Sequence, residues 1–302
     1  MPKVAVNGLS LAYEIQGRVD ADAPRVIFVH PGFGGPQSTL AAAPSPILGA
    51  IPQDVYSLVT YDRRCSGRSD YTLHWYTLEH LASDVAGLMD TLRIDRAIVV
   101  GTSIGGMVAL QFALSYGDRL QGLALLSTGA NLMNATAWGP SFRRIVERAK
   151  RDGDDAVTER MRRSLREPAR LPPRGDAPPE VAKRLQTAHD DYLARLGATS
   201  DALLDRLGLG MIRNYAAFLD VDLSDRLDAI AVPTLVIHGT ADTTVPFRCG
   251  EALRDRIEGA EFHAIPGAVH GILQYGATRR LLHDWLLGQA PARAAHDTLP
   301  AY

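Results

Sequence analysis

Between Arg96 and Leu114 the chain runs RAIVVGTSIGGMVALQFAL, two apolar runs joined through a serine with glycines on either side. The first run is built of β-branched strand formers and the second of helix formers. A strand that is apolar at successive residues is covered on both faces, which is the habit of parallel sheets. An ordinary turn explains one glycine, but not glycines two residues before and two residues after Ser103. A serine on a sharp strand-to-helix turn has a strained backbone, and bulky neighbours at those positions collide with it. Gly101 and Gly105 remove the collisions, and Gly106 lets the helix pack closely. The plainer reading is a serine that caps a helix. The apolar runs on both sides favour instead a nucleophile lifted off the carboxyl edge of a sheet, where open α/β sheets bind ligands.

The rest of the chain supplies the sheet. KVAVNGLSLAYEIQG alternates as a hairpin does, with Asn7-Gly8 as the two-residue turn. RVIFVH, YSLVTYD, RAIVVG, LQGLALLST, VPTLVIHG and AEFHAIPG read as strands. Helical spacing marks Leu78, Leu81, Val85, Leu88, Met89 and Leu92, then GGMVALQFALSY, CGEALRDRI and RRLLHDWLLG. Strands alternating with helices predict an α/β fold with a mostly parallel sheet covered on both faces. The rhythm breaks from 131 to 221, where SFRRIVERAK, AVTERMRRSLR and EVAKRLQTAHDDYLARL read as amphipathic helices around the Pro-rich REPARLPPRGDAPPE. The expected organisation is a core of residues 1–130 and 222–302, a helical lid insertion of residues 131–221, and a flexible tail in QAPARAAHDTLPAY.

Composition narrows the partners. With 32 basic and 34 acidic residues the formal net charge is −2, which offers no basic footprint for nucleic acid and no polybasic membrane signal. No apolar run is long enough to span a bilayer, and MPKVAVNGLSLAYEIQG lacks the apolar segment of a secretory signal. Cys65 and Cys249 have no metal-ligand spacing and read as free thiols in a reducing compartment. These features predict a cytoplasmic protein without a metal or organic cofactor.

A serine hydroxyl needs a base to take its proton, and the base needs an acid to orient it. Of nine histidines, His270 lies in the loop after a late strand, in FHAIPGAVHGI. His238 ends a strand but precedes the acid. His74, His80, His189, His263, His283 and His296 sit on helix faces, in a strand, in loops or in the tail, where solvated or structural roles are commoner. Asp242, in VIHGTADTTVP, leaves a strand end; Asp220, Asp222, Asp225 and Asp228 read as the solvated end of the insertion. Acyl transfer also needs two N–H groups aimed at the developing oxyanion. Ile104, the residue after the serine, supplies one. The Gly-rich RVIFVHPGFGGP supplies the other through Gly32, with Phe33 the alternative if Pro31 shifts the register.

On HPGFGG, YDRRCSGRSD, VVGTSIGGMVAL, VPTLVIHGTADTTVP and IPGAVHGI, the chain resembles the α/β-hydrolase superfamily of the helical-lid kind. The resemblance spans all but the insertion and the tail. Family members usually carry glycine where Cys65 stands and His-Gly where His30-Pro31 stands. Ser103 argues against epoxide hydrolases and haloalkane dehalogenases, which place an aspartate there. The resemblance implies a serine hydrolase with Ser103, Asp242 and His270 as its triad, acting on a small-molecule carboxylic ester or lactone. GTSIGGMVALQFAL with DLSDRL before VPTLVIHG is similar to enol-lactonases. Carbon–carbon bond hydrolases, aminopeptidases and acyltransferases of this fold share the triad, and a slow-turnover ligand receptor can retain it. Phe33, Trp138, Phe142, Tyr215 and Phe218 are candidates for lining a substrate pocket, against the commoner role of an apolar face in packing.

Overall fold

The N-terminal strands β1 (Lys3–Val6) and β2 (Leu9–Gly17) form the expected hairpin. Asn7 and Gly8 have φ of 49° and 78°, the paired positive values that a tight turn between twisted strands demands. Six more strands follow: β3 (Arg25–Val29), β4 (Ser57–Tyr61), β5 (Ala97–Thr102), β6 (Leu120–Leu126), β7 (Thr234–Gly239) and β8 (Glu261–Ile265). In the computed structural model, which describes residues 2–18, 20, 22–34, 46–167 and 178–290, they form one sheet ordered β1-β2-β4-β3-β5-β6-β7-β8. Only the pairings β1–β2 and β2–β4 are antiparallel; from β4 to β8 every pairing is parallel.

The continuous apolar runs are explained by what covers them. Ile27, Val29, Val59, Val99, Leu123 and Val236 face one core, and the alternating Val26, Phe28, Leu58, Ile98, Ala124 and Leu235 face another. The first core is closed by α1 (Leu78–Thr91) and α2 (Ile104–Ser115), the latter buried at ten of its twelve residues. Between β6 and β7 the chain forms α3 (Leu132–Ala135), α4 (Gly139–Asp152), α5 (Asp155–Arg166), α6 (Pro179–Gly197) and α7 (Asp201–Phe218). After β7 come α8 (Arg248–Arg256), which joins the first core, and α9 (Gly276–Gln289), which covers the second through Leu282, Trp285 and Leu286.

The three amphipathic patterns of the insertion fall on α4, α5 and α6. Helix α7 carries Gly208 and Gly210 inside it, which weakens any helical pattern by propensity. Both glycines mark close approach: added β-carbons would lie 2.8 Å from Met161 Cβ and 2.8 Å from the Cys65 carbonyl oxygen. Most of the Pro-rich stretch (168–177) and of the predicted tail (291–302) lies outside the described residues. Among those described, no helix is long and apolar enough to cross a membrane.

Candidate active site

Strand β5 ends at Thr102 and helix α2 begins at Ile104, so Ser103 alone makes the turn. Its φ of 53° and ψ of −125° lie outside the regions an L-residue adopts freely. The surroundings hold it there. Its N–H donates to the Leu126 carbonyl at 2.9 Å, and its own carbonyl accepts from Gly106 N–H at 2.9 Å and Thr128 Oγ1 at 2.6 Å. A β-carbon on Gly105 would overlap the backbone carbonyl oxygens of Val29 and His30, and one on Gly106 would overlap Thr128. The glycines therefore let α2 start flush against β3 and β6.

Two loops deliver the other groups. Beyond β7, Asp242 is buried, and its Oδ1 accepts the N–H groups of Thr244 and Val245, both at 2.9 Å. Beyond β8, the loop to His270 is tied to the acid loop by Ala241 N–H to the Ala268 carbonyl at 3.0 Å and Gly267 N–H to Thr240 Oγ1 at 2.9 Å. The result is a continuous chain. His270 Nδ1 lies 2.8 Å from Asp242 Oδ2, and His270 Nε2 lies 2.9 Å from Ser103 Oγ. Since an ionised carboxylate only accepts, Nδ1 carries the proton and Nε2 is left free to accept from the serine.

His238 lies close by without reaching the serine. It is fully buried, with Nε2 at 3.0 Å from the Val245 carbonyl and 3.6 Å from Asp242 Oδ2. Nε2–H therefore donates into the acid loop. Burial lowers its pKa and keeps the ring neutral. The upstream aspartates are elsewhere: Asp220 pairs with Arg143 at 2.6 Å, and Asp222 accepts from Asn131 at 2.6 Å.

Ile104 opens α2, where an amide N–H has no acceptor within the helix and the helix dipole is positive. The Pro31–Gly34 loop leaves β3 beside it, with Gly32 at φ 79°. Phe33 sits at the centre of an aromatic cluster, edge-on to Trp138, Phe142, Tyr215 and Phe218 at centroid distances of 5.3, 5.1, 5.0 and 5.9 Å. All five candidate pocket residues thus meet over this loop. Phe218 and Tyr215 are buried by that packing, whereas Phe33, Trp138 and Phe142 keep part of their surface exposed. A cavity of about 310 Å³ lies elsewhere, lined by Ala130, Leu227, Arg248, Cys249 and Arg256 among others, and includes none of the three triad candidates.

Beneath the site lie Arg63 and Arg64, to which no sequence motif assigns a role. Arg64 pairs with Asp84 of α1 through two buried contacts of 2.5 and 2.6 Å, anchoring the loop after β4. Cys65, where glycine is usual in resembling chains, has φ 56°, so this backbone does favour glycine. Its thiol and that of Cys249 are both free and buried, which raises both pKa values. Arg63 is fully buried beside His30 and Gly32. Its only advance signal is position, two residues past the end of strand β4.

Comparison with known proteins agrees with this architecture. The chain is 28% identical over 296 residues to a Variovorax paradoxus protein named, provisionally, carbamate hydrolase RutD, covering 97% of this chain and 100% of that one. It is 25% identical over 259 residues to 3-oxoadipate enol-lactonase 1 of Acinetobacter baylyi, covering 86% of each. The solved enol-lactonase from Burkholderia xenovorans LB400 matches with a TM-score of 0.71 at 26% identity, covering 95% of this chain and 100% of that one. The sequence profile of the alpha/beta hydrolase fold matches residues 24–277, from the residue before β3 into the first turn of α9. With that span, this sheet order and this strand-to-helix turn, the chain belongs to the α/β-hydrolase family.

Proposed function

We propose that the protein is a serine hydrolase that cleaves a carboxylic ester or lactone of a small molecule through an acyl-enzyme. The observation that carries this reading is the unbroken line from Ser103 Oγ through His270 to Asp242, at 2.9 and 2.8 Å. Ser103 Oγ attacks the carbonyl carbon as its proton passes to His270 Nε2, and Asp242 stabilises the imidazolium. The carbonyl oxygen becomes an oxyanion facing the N–H of Ile104 and one from the Gly32–Phe33 loop. Collapse expels the alkoxide, which takes the proton from His270. Water then attacks the acyl-enzyme with His270 again as base, releasing the acid and restoring the serine. No step calls for a metal or organic cofactor. The helices of 131–221 act as a lid that selects substrate, with Phe33, Trp138 and Phe142 forming an apolar wall.

A carbamate is the second reading, favoured by the name of the Variovorax paradoxus relative. The same attack on a carbamate carbonyl would either expel the alcohol and leave a carbamoylated serine, which water resolves more slowly, or expel the amine and leave a serine carbonate, which water then cleaves. One experiment tests both. A fluorophosphonate probe labels Ser103 alone in the native protein, and Ser103→Ala folds but is neither labelled nor active. Turnover on a panel of esters, lactones and carbamates then ranks the readings. Labelling unchanged in Ser103→Ala would end both.

A further inference from the structure

Arg63 is 1% exposed, and burying a cation is costly unless its hydrogen bonds are well placed. The partners of this one are unusual. Its guanidinium donates through Nη2 to the Gly32 carbonyl and lies with Nε 3.5 Å from His30 Nε2, while its backbone N–H donates to the same His30 nitrogen at 3.3 Å. The other His30 nitrogen, Nδ1, donates to the Pro31 carbonyl at 2.8 Å. Two successive carbonyls of the Gly-rich loop are therefore gripped from below by one arginine and one histidine.

Every peptide bond among the described residues is trans, so each N–H points opposite to the carbonyl of the residue before it. Holding the Gly32 carbonyl on Arg63 turns the Phe33 N–H away from Arg63, out of the interior. The positive φ of Gly32 is what lets both carbonyls turn inward at once. We infer that Arg63 is a positioning residue: by holding the Gly32 carbonyl, with His30 holding that of Pro31, it aims the Phe33 N–H at the oxyanion. This rests on the serine-hydrolase reading above and takes Phe33 as the second donor; by the same rule the held Pro31 carbonyl turns the Gly32 N–H outward as well. His30 suits its part because burial and the neighbouring Arg63 charge lower its pKa to about 3, keeping it an acceptor for Arg63.

The test compares native protein with Arg63→Met, which keeps the bulk and loses the donors, and Arg63→Lys, which keeps one cationic donor. Two readouts are taken on an activated phenyl ester: kcat and KM for turnover, and the inhibition constant of a trifluoromethyl ketone, which forms an oxyanion at the serine. Losing one oxyanion donor costs about 10²–10³ in kcat. Arg63→Met, which misaims a donor, is expected to lose about 10- to 100-fold in kcat with little change in KM. Ketone affinity falls by the same factor as kcat/KM, and Arg63→Lys recovers part of both. A merely structural role would lower melting temperature without that proportionality. Folded Arg63→Met with kcat within twofold of native protein overturns the inference, as does a lowered kcat with unchanged ketone affinity. If Arg63→Met does not fold, the proportionality in Arg63→Lys decides. Failure of the serine-hydrolase reading is separate, because then native protein itself forms no adduct at Ser103.

Discussion

Replacing Asp242 with asparagine tests the whole triad, because the structure fixes how the new amide must sit. Oδ1 of Asp242 accepts two backbone N–H groups, from Thr244 and Val245, while Oδ2 faces His270 Nδ1. An asparagine has one oxygen to offer. Turning its NH₂ toward Thr244 and Val245 would leave one buried and one partly buried donor unmet, at about 1–3 kcal/mol each. The oxygen therefore stays on that side, favoured by about 2–6 kcal/mol over the reverse. The NH₂ group then faces His270, whose Nδ1 must accept rather than donate. That forces the proton onto Nε2, which now donates to Ser103 Oγ and has no lone pair to receive the serine proton.

The orientation preference alone leaves the productive tautomer in roughly one molecule in thirty at best, by the usual tenfold per 1.4 kcal/mol. Losing the charge that stabilises the imidazolium compounds this, so the expected loss is about 10⁴-fold in kcat at neutral pH. The assay is kcat/KM on an activated ester, together with the rate of fluorophosphonate labelling and a urea melt to establish folding. Both rates should fall together. A folded Asp242→Asn protein within tenfold of native activity would mean that Asp242 does not set the His270 tautomer, and the acid would have to be sought elsewhere.

Gly105→Ala pushes a methyl group into the Val29 and His30 carbonyl oxygens, which are backbone and cannot swing aside. Overpacking of this kind costs about 1–3 kcal/mol, read by urea unfolding, and acylation should slow as Ile104 N–H is displaced; native stability and rate would refute the close approach. Because the pKa of buried His30 is lowered to about 3, its stabilising contribution is complete above the unfolded value of about 6.5 and shrinks as pH falls between the two. The slope is about 1.4 kcal/mol per pH unit, and His30→Gln should show a shallower acid decline in urea midpoint than native protein. Phe218→Ala, at a fully buried aromatic, should cost about 3–5 kcal/mol, whereas half-exposed Trp138→Ala should mainly reorder preference among acyl groups. Loss of all activity in Trp138→Ala, even on small activated esters, would instead require a catalytic group in the insertion.

What could be read in the residues follows physical lines. The parallel sheet was legible because its strands are buried on both faces and so carry uninterrupted apolar runs, as Ala97–Thr102 and Thr234–Gly239 do. The hairpin was legible from Asn7-Gly8, because few residue pairs accept two positive φ values in succession. Helix α7 was not. Its glycines exist for tertiary reasons, clearing Met161 and the Cys65 carbonyl, and local propensity has no access to a neighbour contributed from another part of the chain.

The site divides in the same way. Ser103, Asp242 and His270 each follow a strand, so the element pattern that gives the sheet also gives their common edge. Their supports are different. Nothing in RVIFVHPGFGG or YDRRCSGRSD says that Arg63 will reach the Gly32 carbonyl, because that contact depends on β3 and β4 being neighbours in register, Arg25 opposite Ser57. Sequence motifs name groups that act on a substrate, since chemistry restricts those to a few residue types. Groups that aim them are restricted only by geometry, and many side chains can hold a carbonyl. An arginine just after an apolar strand reads as a charged loop residue until the fold closes over it. Once the neighbouring strand is known, its burial beside a Gly-rich loop becomes an argument about where that loop's N–H groups point.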